Sequence, residues 1–265
     1  MDQPGQSLAK MRATAPLVQN ITNYVAMNVM ANIMLAAGAS PAMVHAREEA
    51  AEFTALAQAL TINIGTPSPA WAEAMVETAR TAHRLGKPWV FDPVAVGATG
   101  YRRDLGVRLL ACKPTVIRGN ASEILALAGM QTAGKGADAA DSVEAAKDAA
   151  RDLARQTGAV VAVTGPIDVV TDGACIAEIA NGHPMMPRVT VLGCSLTGIV
   201  AAFLVDQDPF EATVAALAYY ALAGEMAGEM AGEAKGPASF QTAFIDALYG
   251  MSPEALNDGA RISLS

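Results

Sequence analysis

The chain has 265 residues, 52% hydrophobic and only 5% aromatic, which is typical of an α/β protein with a core of small and aliphatic side chains. Its net charge of −8, with lysines and arginines scattered along the chain, argues against a nucleic-acid partner. The three cysteines show no CxxC spacing, the first sixteen residues lack the apolar stretch of a secretory signal, and no run approaches the ~20 apolar residues of a membrane span. We therefore expect a cytoplasmic protein with neither a membrane span nor a zinc site.

Short β-branched or apolar runs alternate with longer helical patterns along the chain. A helix is predicted over residues 25–37, followed by a turn at 38–43 that leads into a strand. Alternation of this kind predicts an α/β protein with a largely parallel sheet covered by helices, and the absence of a long linker predicts one domain over 1–265. The further predicted strands are 59–64, 88–91, 115–117 and 159–163, the helices are 70–85, 121–128 and 142–156, and a hairpin is predicted over 169–170 and 175–179.

Polar residues stand where the predicted strands end. In open parallel sheets, ligands bind outside the carboxyl ends of the strands. We therefore expect groups from five separate segments to meet at one edge of the sheet and form a site. The residues concerned are Asn63 with Gly65, Asp92, Arg118 with Asn120 and Glu123, Thr164, and Cys194.

The stretch from Val189 to Phe203, VTVLGCSLTGIVAAF, is the most informative part of the chain. A β-branched run meets Gly193 and continues directly into an apolar helical pattern, which predicts a strand followed by a helix. Free N–H groups at such a helix start can hold a phosphate, and the helix dipole would lower the pKa of Cys194 and favour the thiolate. The pattern indicates phosphoryl transfer, although a Gly-Cys pair is also typical of simple packing.

Two carboxylates follow neighbouring predicted strands. Asp92 precedes a proline, and Glu123 lies three residues after Asn120, so that one helical turn can present both side chains together. Such an acidic pair suits Mg²⁺ carried by nucleotide phosphates. Each carboxylate also has a structural interpretation, since Asp92 can cap a turn and Glu123 can be the capping partner of Asn120. Arg118 offers either a fork for a phosphate or an ordinary surface charge.

The segment 16–24, PLVQNITNY, brings several amides to the start of an Ala- and Met-rich helix. It suits a small, partly apolar ligand with heteroatoms and, equally, a helix cap over a methionine-containing core. No Walker motif, no GxGxxG after the first strand and no GxSxG occur. These absences disfavour a P-loop kinase, an ordinary dinucleotide enzyme and a serine hydrolase.

Two further segments have structural interpretations. The repeat AGEM-AGEM-AGEA at 223–234 places Gly224, Gly228 and Gly232 along one helical stripe, which favours close helix packing over a ligand role. The segment 131–141, with two glycines, predicts a mobile loop.

In combination, a set of short stretches resembles the hydroxyethylthiazole kinase family of the ribokinase-like superfamily, in the family's order and over nearly the whole chain. They are NITN (20–23), GASPAM (38–43), NIG (63–65), DPV (92–94) with GAT (97–99), RGNASE (118–123), VTG (163–165), DV (168–169), NGH (181–183), GC (193–194) and KGPASF (235–240). The resemblance implies a three-layer ribokinase-like fold and a homotrimer with sites between subunits. It also implies Mg²⁺-dependent transfer of the ATP γ-phosphate to the primary alcohol of 4-methyl-5-(2-hydroxyethyl)thiazole, in thiamine salvage.

The same resemblance implies roles at individual positions. Arg118 and Thr164 would contact ATP, and Asp92 and Glu123 would organise the metal. Cys194 stands where most ribokinase-like enzymes place an aspartate base. A thiol there could take the alcohol proton late in a loose phosphoryl transfer.

The resemblance also implies a substrate pocket lined by Met43, Asn23 and Val191. At the start of the predicted helix, the N–H groups from Gly193 to Ser195 would stabilise charge on the transferring phosphoryl. The chain departs from the family at 191–192, where Val-Leu replaces a small Gly-Thr or Gly-Ala, and at 95–96 and 19–20. Two alternatives therefore stay open. One is a sibling kinase of a hydroxymethylpyrimidine- or pyridoxal-type alcohol, and the other is a catalytically weakened binder.

Overall fold

The computed structural model of the chain describes residues 3–131, 143–231 and 236–265, which alternate between strands and helices. The strands are β1 Leu17–Ile21, β2 Ser40–Ala42, β3 Ala59–Asn63, β4 Trp89–Asp92, β5 Val116–Asn120, β6 Val160–Thr164, β7 Asp168–Thr171, β8 Ile176–Ile179 and β9 Ile262–Leu264. The helices are α1 Pro4–Thr14, α2 Met27–Ala37, α3 Arg47–Phe53, α4 Pro69–Arg84, α5 Gly100–Leu110, α6 Ala121–Gln131, α7 Val143–Thr157, α8 Leu192–Phe203, α9 Pro209–Ala231, α10 Pro237–Gly250 and α11 Pro253–Gly259. A 3₁₀ helix spans Met186–Arg188.

These strands form one mixed sheet in the order β2-β1-β3-β4-β5-β6-β7-β8-β9. Strands β1 to β6 pair in parallel, and β7, β8 and β9 continue the sheet antiparallel from β6. The predicted, largely parallel sheet is confirmed, and the predicted hairpin is β7–β8.

Helices cover both faces of the sheet because strand residues alternate between two apolar cores. In β4, Trp89 and Phe91 lie in one core with α4, α5 and α7, whereas Val90 lies in the other with α2, α8, α9 and α10. Each fully buried large apolar side chain contributes about 1.5–3 kcal/mol. The carboxyl edge of the parallel strands is therefore held between two packed layers.

The sequence pattern predicts neither helix α1 nor strand β1. Strand β1 does not read as an apolar run because it carries two amides in its centre. Gln19 and Asn20 are both completely buried. The Nε2 of Gln19 donates to the carbonyl of Ala50 at 2.8 Å and that of Val44 at 3.1 Å, and the hydroxyl of Thr61 donates to Oδ1 of Asn20 at 2.8 Å. Buried amides with their hydrogen bonds made are compatible with a central strand.

The strand predicted just before Gly193 is wrong. The 3₁₀ helix ends at Arg188, Val191 adopts a left-handed conformation with φ 84°, and α8 begins at Leu192. Gly193 and Cys194 therefore lie within the first turn of α8. A β-branched residue at positive φ is an outlier that costs about 1–3 kcal/mol. Burial of the Val191 side chain in the core beside α8 offsets part of this cost.

Gly224 and Gly228 lie in α9 and pack closely, as predicted, but against the segment 183–188 instead of another α-helix. A Cβ at Gly224 would lie 2.5 Å from Sδ of Met186, and one at Gly228 would lie 2.5 Å from the ring of His183. Gln131, the first residue of the predicted loop at 131–141, ends α6, whereas residues 132–141, Gly232 and Lys235 lie outside the described residues. Within the described part of the chain, no helix is long and apolar enough to cross a membrane.

Candidate active site

The carboxyl ends of parallel strands bring the predicted polar residues to one edge of the sheet, as the topology predicts. Asn63 and Asp92 end the adjacent strands β3 and β4 and are register partners. Asn120 and Thr164 end β5 and β6 and are paired in the same way. Cys194 reaches this edge from the first turn of α8.

Asp92 is almost completely buried at the centre of the site. Its Oδ2 accepts hydrogen bonds from Nδ2 of Asn63 at 2.7 Å and from the hydroxyl of Thr197 at 2.8 Å, and the guanidinium of Arg118 lies 3.8 Å away. Burial raises the pKa of Asp92 to about 6; the charge of Glu123 adds to the rise, whereas Arg118 and the two hydrogen bonds oppose it. The buried Oδ1 has no hydrogen-bond partner among the described residues, so it can accept one from a ligand or bind a cation.

Arg118 connects β5 with β6 and with the start of α8. Its Nη2 donates to the hydroxyl of Thr164 at 2.8 Å, and its Nη1 donates to the carbonyl of Gly193 at 3.0 Å. Its Nε is buried and, within the part of the chain that the structure describes, unpaired. The guanidinium is thus fixed in position and keeps one donor for an anionic ligand.

Cys194 is half-buried and lies beside two asparagines. Nδ2 of Asn23 donates to Sγ of Cys194 at 3.3 Å and to Oδ1 of Asn63 at 2.9 Å, while Oδ1 of Asn23 accepts the N–H of Ala26 at 3.0 Å. Asn23, which the resemblance places in the substrate pocket, therefore already uses both amide hydrogens within the protein. Its visible contact in the site is with the thiol.

The expected thiolate at Cys194 is wrong. Burial raises the pKa of this thiol above its ordinary value, and the charge of Asp92 raises it further. Hydrogen bonds from Asn23 and Asn63 and the charge of Arg118 oppose the rise without cancelling it. Desolvation and the neighbouring carboxylate favour the neutral thiol, whereas the expectation rests on the helix N-terminus alone. Cys194 is therefore a neutral thiol at pH 7.

Fewer N–H groups are free at the start of α8 than the sequence predicts for Gly193 to Ser195. The N–H of Ser195 donates to the carbonyl of Val191 at 2.8 Å. The N–H groups of Gly193 and Cys194 lie earlier in the first turn of α8, where no intrahelical acceptor exists. These two groups remain as donors for an anion.

Glu123 forms the reciprocal cap at the start of α6 that the sequence offers as its structural interpretation. Oδ1 of Asn120 accepts the N–H of Glu123 at 3.0 Å, and Oε2 of Glu123 accepts the N–H of Asn120 at 2.9 Å. Its Oε1 accepts the N–H of Ala95 at 2.9 Å. The cap fixes this carboxylate near enough to Asp92 to affect the pKa there. No cluster of three His, Cys, Asp or Glu side chains suited to a metal occurs among the described residues.

Apolar and aromatic side chains follow β1 and β2 in the chain. Met43 directly follows β2 and packs, half-buried, against the same core as Cys194 and Val191. Next to Asn23, the ring of Tyr24 stacks on Trp71 with a centroid separation of 4.6 Å. The aromatic pair thus adjoins Asn23, the residue whose amide contacts the thiol.

Two residues of the site receive no role in the interpretation of the sequence, although Asp168 belongs to one of the stretches that carry the resemblance. Thr197, which donates to Asp92, lies one helical turn after Cys194, and this spacing of three is a signal that the sequence contains. Asp168 begins β7, and its Oδ1 accepts the N–H of Gly165 at 2.9 Å. Burial raises the pKa of Asp168 to about 6, opposed by that hydrogen bond and by Arg118.

Comparison with known proteins assigns the family. The model of the hydroxyethylthiazole kinase family matches residues 8–254. The chain belongs to the hydroxyethylthiazole kinase family. A hydroxyethylthiazole kinase from Cereibacter sphaeroides is 67% identical over 262 residues, which cover 99% of each chain. Another member of the family, from Rhizobium johnstonii, is 57% identical and covers 98% of this chain and 97% of the relative.

Solved structures agree with the family and with the fold. A hydroxyethylthiazole kinase protein from Pyrococcus horikoshii matches with a TM-score of 0.92 at 38% identity, covering 100% of both chains. The pyridoxal kinase from Staphylococcus aureus in complex with ADP matches with a TM-score of 0.64 at 16% identity, covering 94% of this chain and 99% of that one. The second likeness shows the fold alone. The ribokinase-like sandwich implied by the resemblance is confirmed.

Proposed function

We propose that this chain is a kinase that transfers the γ-phosphate of ATP to the primary hydroxyl of 4-methyl-5-(2-hydroxyethyl)thiazole, as in thiamine salvage. The observation that carries the proposal is one buried cluster at the sheet edge. It combines a carboxylate with an unpaired oxygen (Asp92), a guanidinium with an unpaired N–H (Arg118) and the start of α8. Full-length likeness to proteins named hydroxyethylthiazole kinase supports the thiazole alcohol as the acceptor.

The ATP phosphates are proposed to lie between Arg118 and the first turn of α8. The free Nε of Arg118 and the N–H groups of Gly193 and Cys194 supply donors, and the dipole of α8 favours negative charge there. Thr164 holds the guanidinium in place and lies at the same edge. These donors are fixed before the reaction begins, as charge stabilisation in phosphoryl transfer requires.

The residues present fit a magnesium ion carried by ATP. Mg²⁺ is commonly held by one or two carboxylates together with phosphate oxygens and water. Asp92 offers its unpaired Oδ1, and Glu123 is held nearby with lone pairs beyond those used in the cap. When bound, the ion would neutralise charge on the β- and γ-phosphates.

In the transfer, the alcohol oxygen bonds to the γ-phosphorus while the bond from that phosphorus to the β–γ bridging oxygen breaks, and ADP leaves. The alcohol proton is proposed to pass to Cys194. Because the pKa of this thiol is raised, its thiolate is a strong base but a minor species at pH 7. A loose transition state needs the base only late in the reaction, so a scarce thiolate is compatible with turnover.

The thiazole ring is proposed to lie on the β1–β2 side, with Met43 and Val191 as apolar lining. A methionine adapts its shape to a flat ring and contacts sulfur and π faces favourably. Asn23 is proposed to act at this boundary by orienting the thiol towards the alcohol, as its 3.3 Å contact with Sγ suggests.

We further propose a cytoplasmic homotrimer of single-domain chains with sites between subunits. One sheet connects the described segments from β2 to β9, which supports a single domain. Tyr24 and Val25, which directly follow Asn23, expose 65% and 60% of their surface, and apolar exposure of this extent favours a partner surface. Light scattering after size exclusion would return three times the chain mass of 27.2 kDa if the proposal holds.

The test of the reaction is ADP release from Mg-ATP by the purified protein, with hydroxyethylthiazole, hydroxymethylpyrimidine and pyridoxal offered separately. Turnover that depends on the thiazole is expected. Turnover with one of the other two alcohols would reassign the pocket. Absence of turnover with all three, together with a melting temperature raised by ligand, would show a binder weakened at 191–192.

A further inference from the structure

Arg102, in the first turn of α5, connects the two loops that follow β3 and β4 by hydrogen bonds to their backbone. Its Nη1 donates to the carbonyl of Ile64 and, at 2.9 Å, to that of Val94. Its Nη2 donates to the carbonyl of Gly65 at 2.8 Å. Backbone carbonyls that leave a sheet lose their ladder partners, and one guanidinium here satisfies three of them.

These two loops carry the pair of side chains at the centre of the site. Asn63 directly precedes Ile64, and its Oδ1 accepts the N–H of Gly65 at 2.8 Å. The Nδ2 of Asn63 then donates to Asp92 at 2.7 Å, and the N–H of Ile64 donates to the carbonyl of Asp92 at 3.2 Å. Arg102 thus holds together the backbone on which the Asn63–Asp92 contact depends.

Among the described residues, the guanidinium of Arg102 donates to the backbone carbonyls of Ile64, Val94 and Gly65 and to no side chain. The path from Arg102 to the carboxylate therefore runs through hydrogen bonds to the backbone. The cap of α5 supports it, since the hydroxyl of Thr99 accepts the N–H of Arg102 at 3.3 Å.

We propose that Arg102 is a positioning residue of the kinase, which fixes Asp92 and Asn63 for phosphoryl transfer by clamping the loops after β3 and β4. The proposal rests on the proposed function for its kinetic part and on the clamp contacts for its structural part. Displacement of a reacting group by about 1 Å can cost on the order of 100-fold in rate. Arg118 and Thr164 lie on β5 and β6, so the side chains proposed to contact the nucleotide phosphates directly come from other strands.

The kinetic test compares Arg102→Met with Arg103→Met. Arg103 is the matched control, because it also donates from α5 to a loop carbonyl, that of Gly97 at 2.8 Å, without touching the clamped residues. We expect Arg102→Met to lower kcat at least tenfold with the Kd for ADP changed less than threefold, and Arg103→Met to leave kcat within twofold. Guanidinium ion at about 20 mM should raise the kcat of Arg102→Ala at least threefold, whereas methylammonium at the same concentration should not. Equal losses in the Met variants, or no rescue, would overturn the proposal.

The structural test needs no turnover, so it separates this proposal from the proposed function. Hydrogen–deuterium exchange should accelerate in peptides that cover 62–66 and 93–96 of Arg102→Met, with exchange in β1 and β6 unchanged. Unchanged exchange at 62–66, or a uniform increase throughout the chain, would refute the clamp. If Arg102→Met does not fold, Arg102→Lys carries both tests, because its ammonium can keep one carbonyl but cannot span both loops. If exchange in Arg102→Met accelerates as expected but the wild type shows no turnover of the thiazole, the proposed function fails and the clamp stands.

Discussion

Replacement of Asp92 by asparagine should change how the stability of the protein depends on pH. The pKa of this carboxyl is about 6 in the folded protein against a reference value of 3.8. The folded state therefore binds the proton more tightly than the unfolded chain does, so the neutral carboxyl stabilises the fold below pH 3.8. That stabilisation is lost as the pH rises through about 6.

The size of the effect follows from the two pKa values. A difference of about 2 pH units corresponds to about 3 kcal/mol over the full titration. Between pH 4.5 and 7.5, about 2 kcal/mol of this falls within the measured window. Asp92→Asn removes the titration but keeps an oxygen that can accept from Asn63 and Thr197. The free energy of unfolding of the variant relative to wild type should therefore rise by about 2 kcal/mol over that window. The unpaired amide hydrogens of the new asparagine lower the stability by the same amount at every pH, so they do not affect this rise.

The assay is urea unfolding of both proteins at several pH values, without nucleotide or Mg²⁺, with linear extrapolation of the free energy. Asp168 and the other carboxyls titrate in both proteins and cancel in the difference. Asp104→Asn makes the same change of side chain at an exposed position of α5 and is the matched control. A flat profile for Asp92→Asn, or one that falls with pH, would refute the inference that burial dominates at Asp92.

Three further results are expected. Cys194→Ala should lower kcat about tenfold or more while leaving the Kd for ATP within threefold, measured by ADP release and calorimetry, and parallel losses would remove the thiol from the chemistry. Iodoacetamide at pH 7 should alkylate the exposed Cys175 before Cys194, as followed by peptide mass spectrometry. Because burial raises the pKa of the Cys194 thiol, its alkylation rate should still increase with pH above 9.0. Modification of Cys194 before Cys175 at pH 7 would contradict this. Gly228→Ala should destabilise the protein by about 1–3 kcal/mol through the clash with His183. Gly250→Ala, at the end of α10 where a Cβ has no neighbour within 4 Å among the described residues, should stabilise it by about 0.4–1 kcal/mol, and equal urea midpoints for the two variants would rule out the clash.

The carboxyl-edge site was predictable because it follows from topology. Strands that read as buried apolar runs end in Asn63, Asp92 and Thr164, and parallel pairing forces such ends to one edge. The cap between Asn120 and Glu123 was equally readable, since it depends on a spacing of three residues.

The remaining features depend on tertiary contacts that no local pattern contains. Strand β1 was hidden because the partners of Gln19 and Asn20 come from distant segments. The start of α8 was misplaced because Val191, a strong strand former, is held at positive φ by its surroundings. The predicted direction of the pKa shift at Cys194 was wrong because burial and the proximity of Asp92, which raise this pKa, come from the tertiary structure.

The order of the strands in the sheet also affects how this protein folds during synthesis. Neighbours β1 and β3 are about 40 residues apart in sequence, and the contact between Asp92 and Thr197 spans 105 residues. Parallel pairings of such separation close large loops before they return any stability, so folding is expected to be slow and to expose apolar strands meanwhile. The last strand, β9, covers the edge of β8 only when residues 262–264 have emerged. A nascent chain shortened before that point would present an open strand edge to its neighbours, and aggregation, not loss of catalysis, would be its first defect.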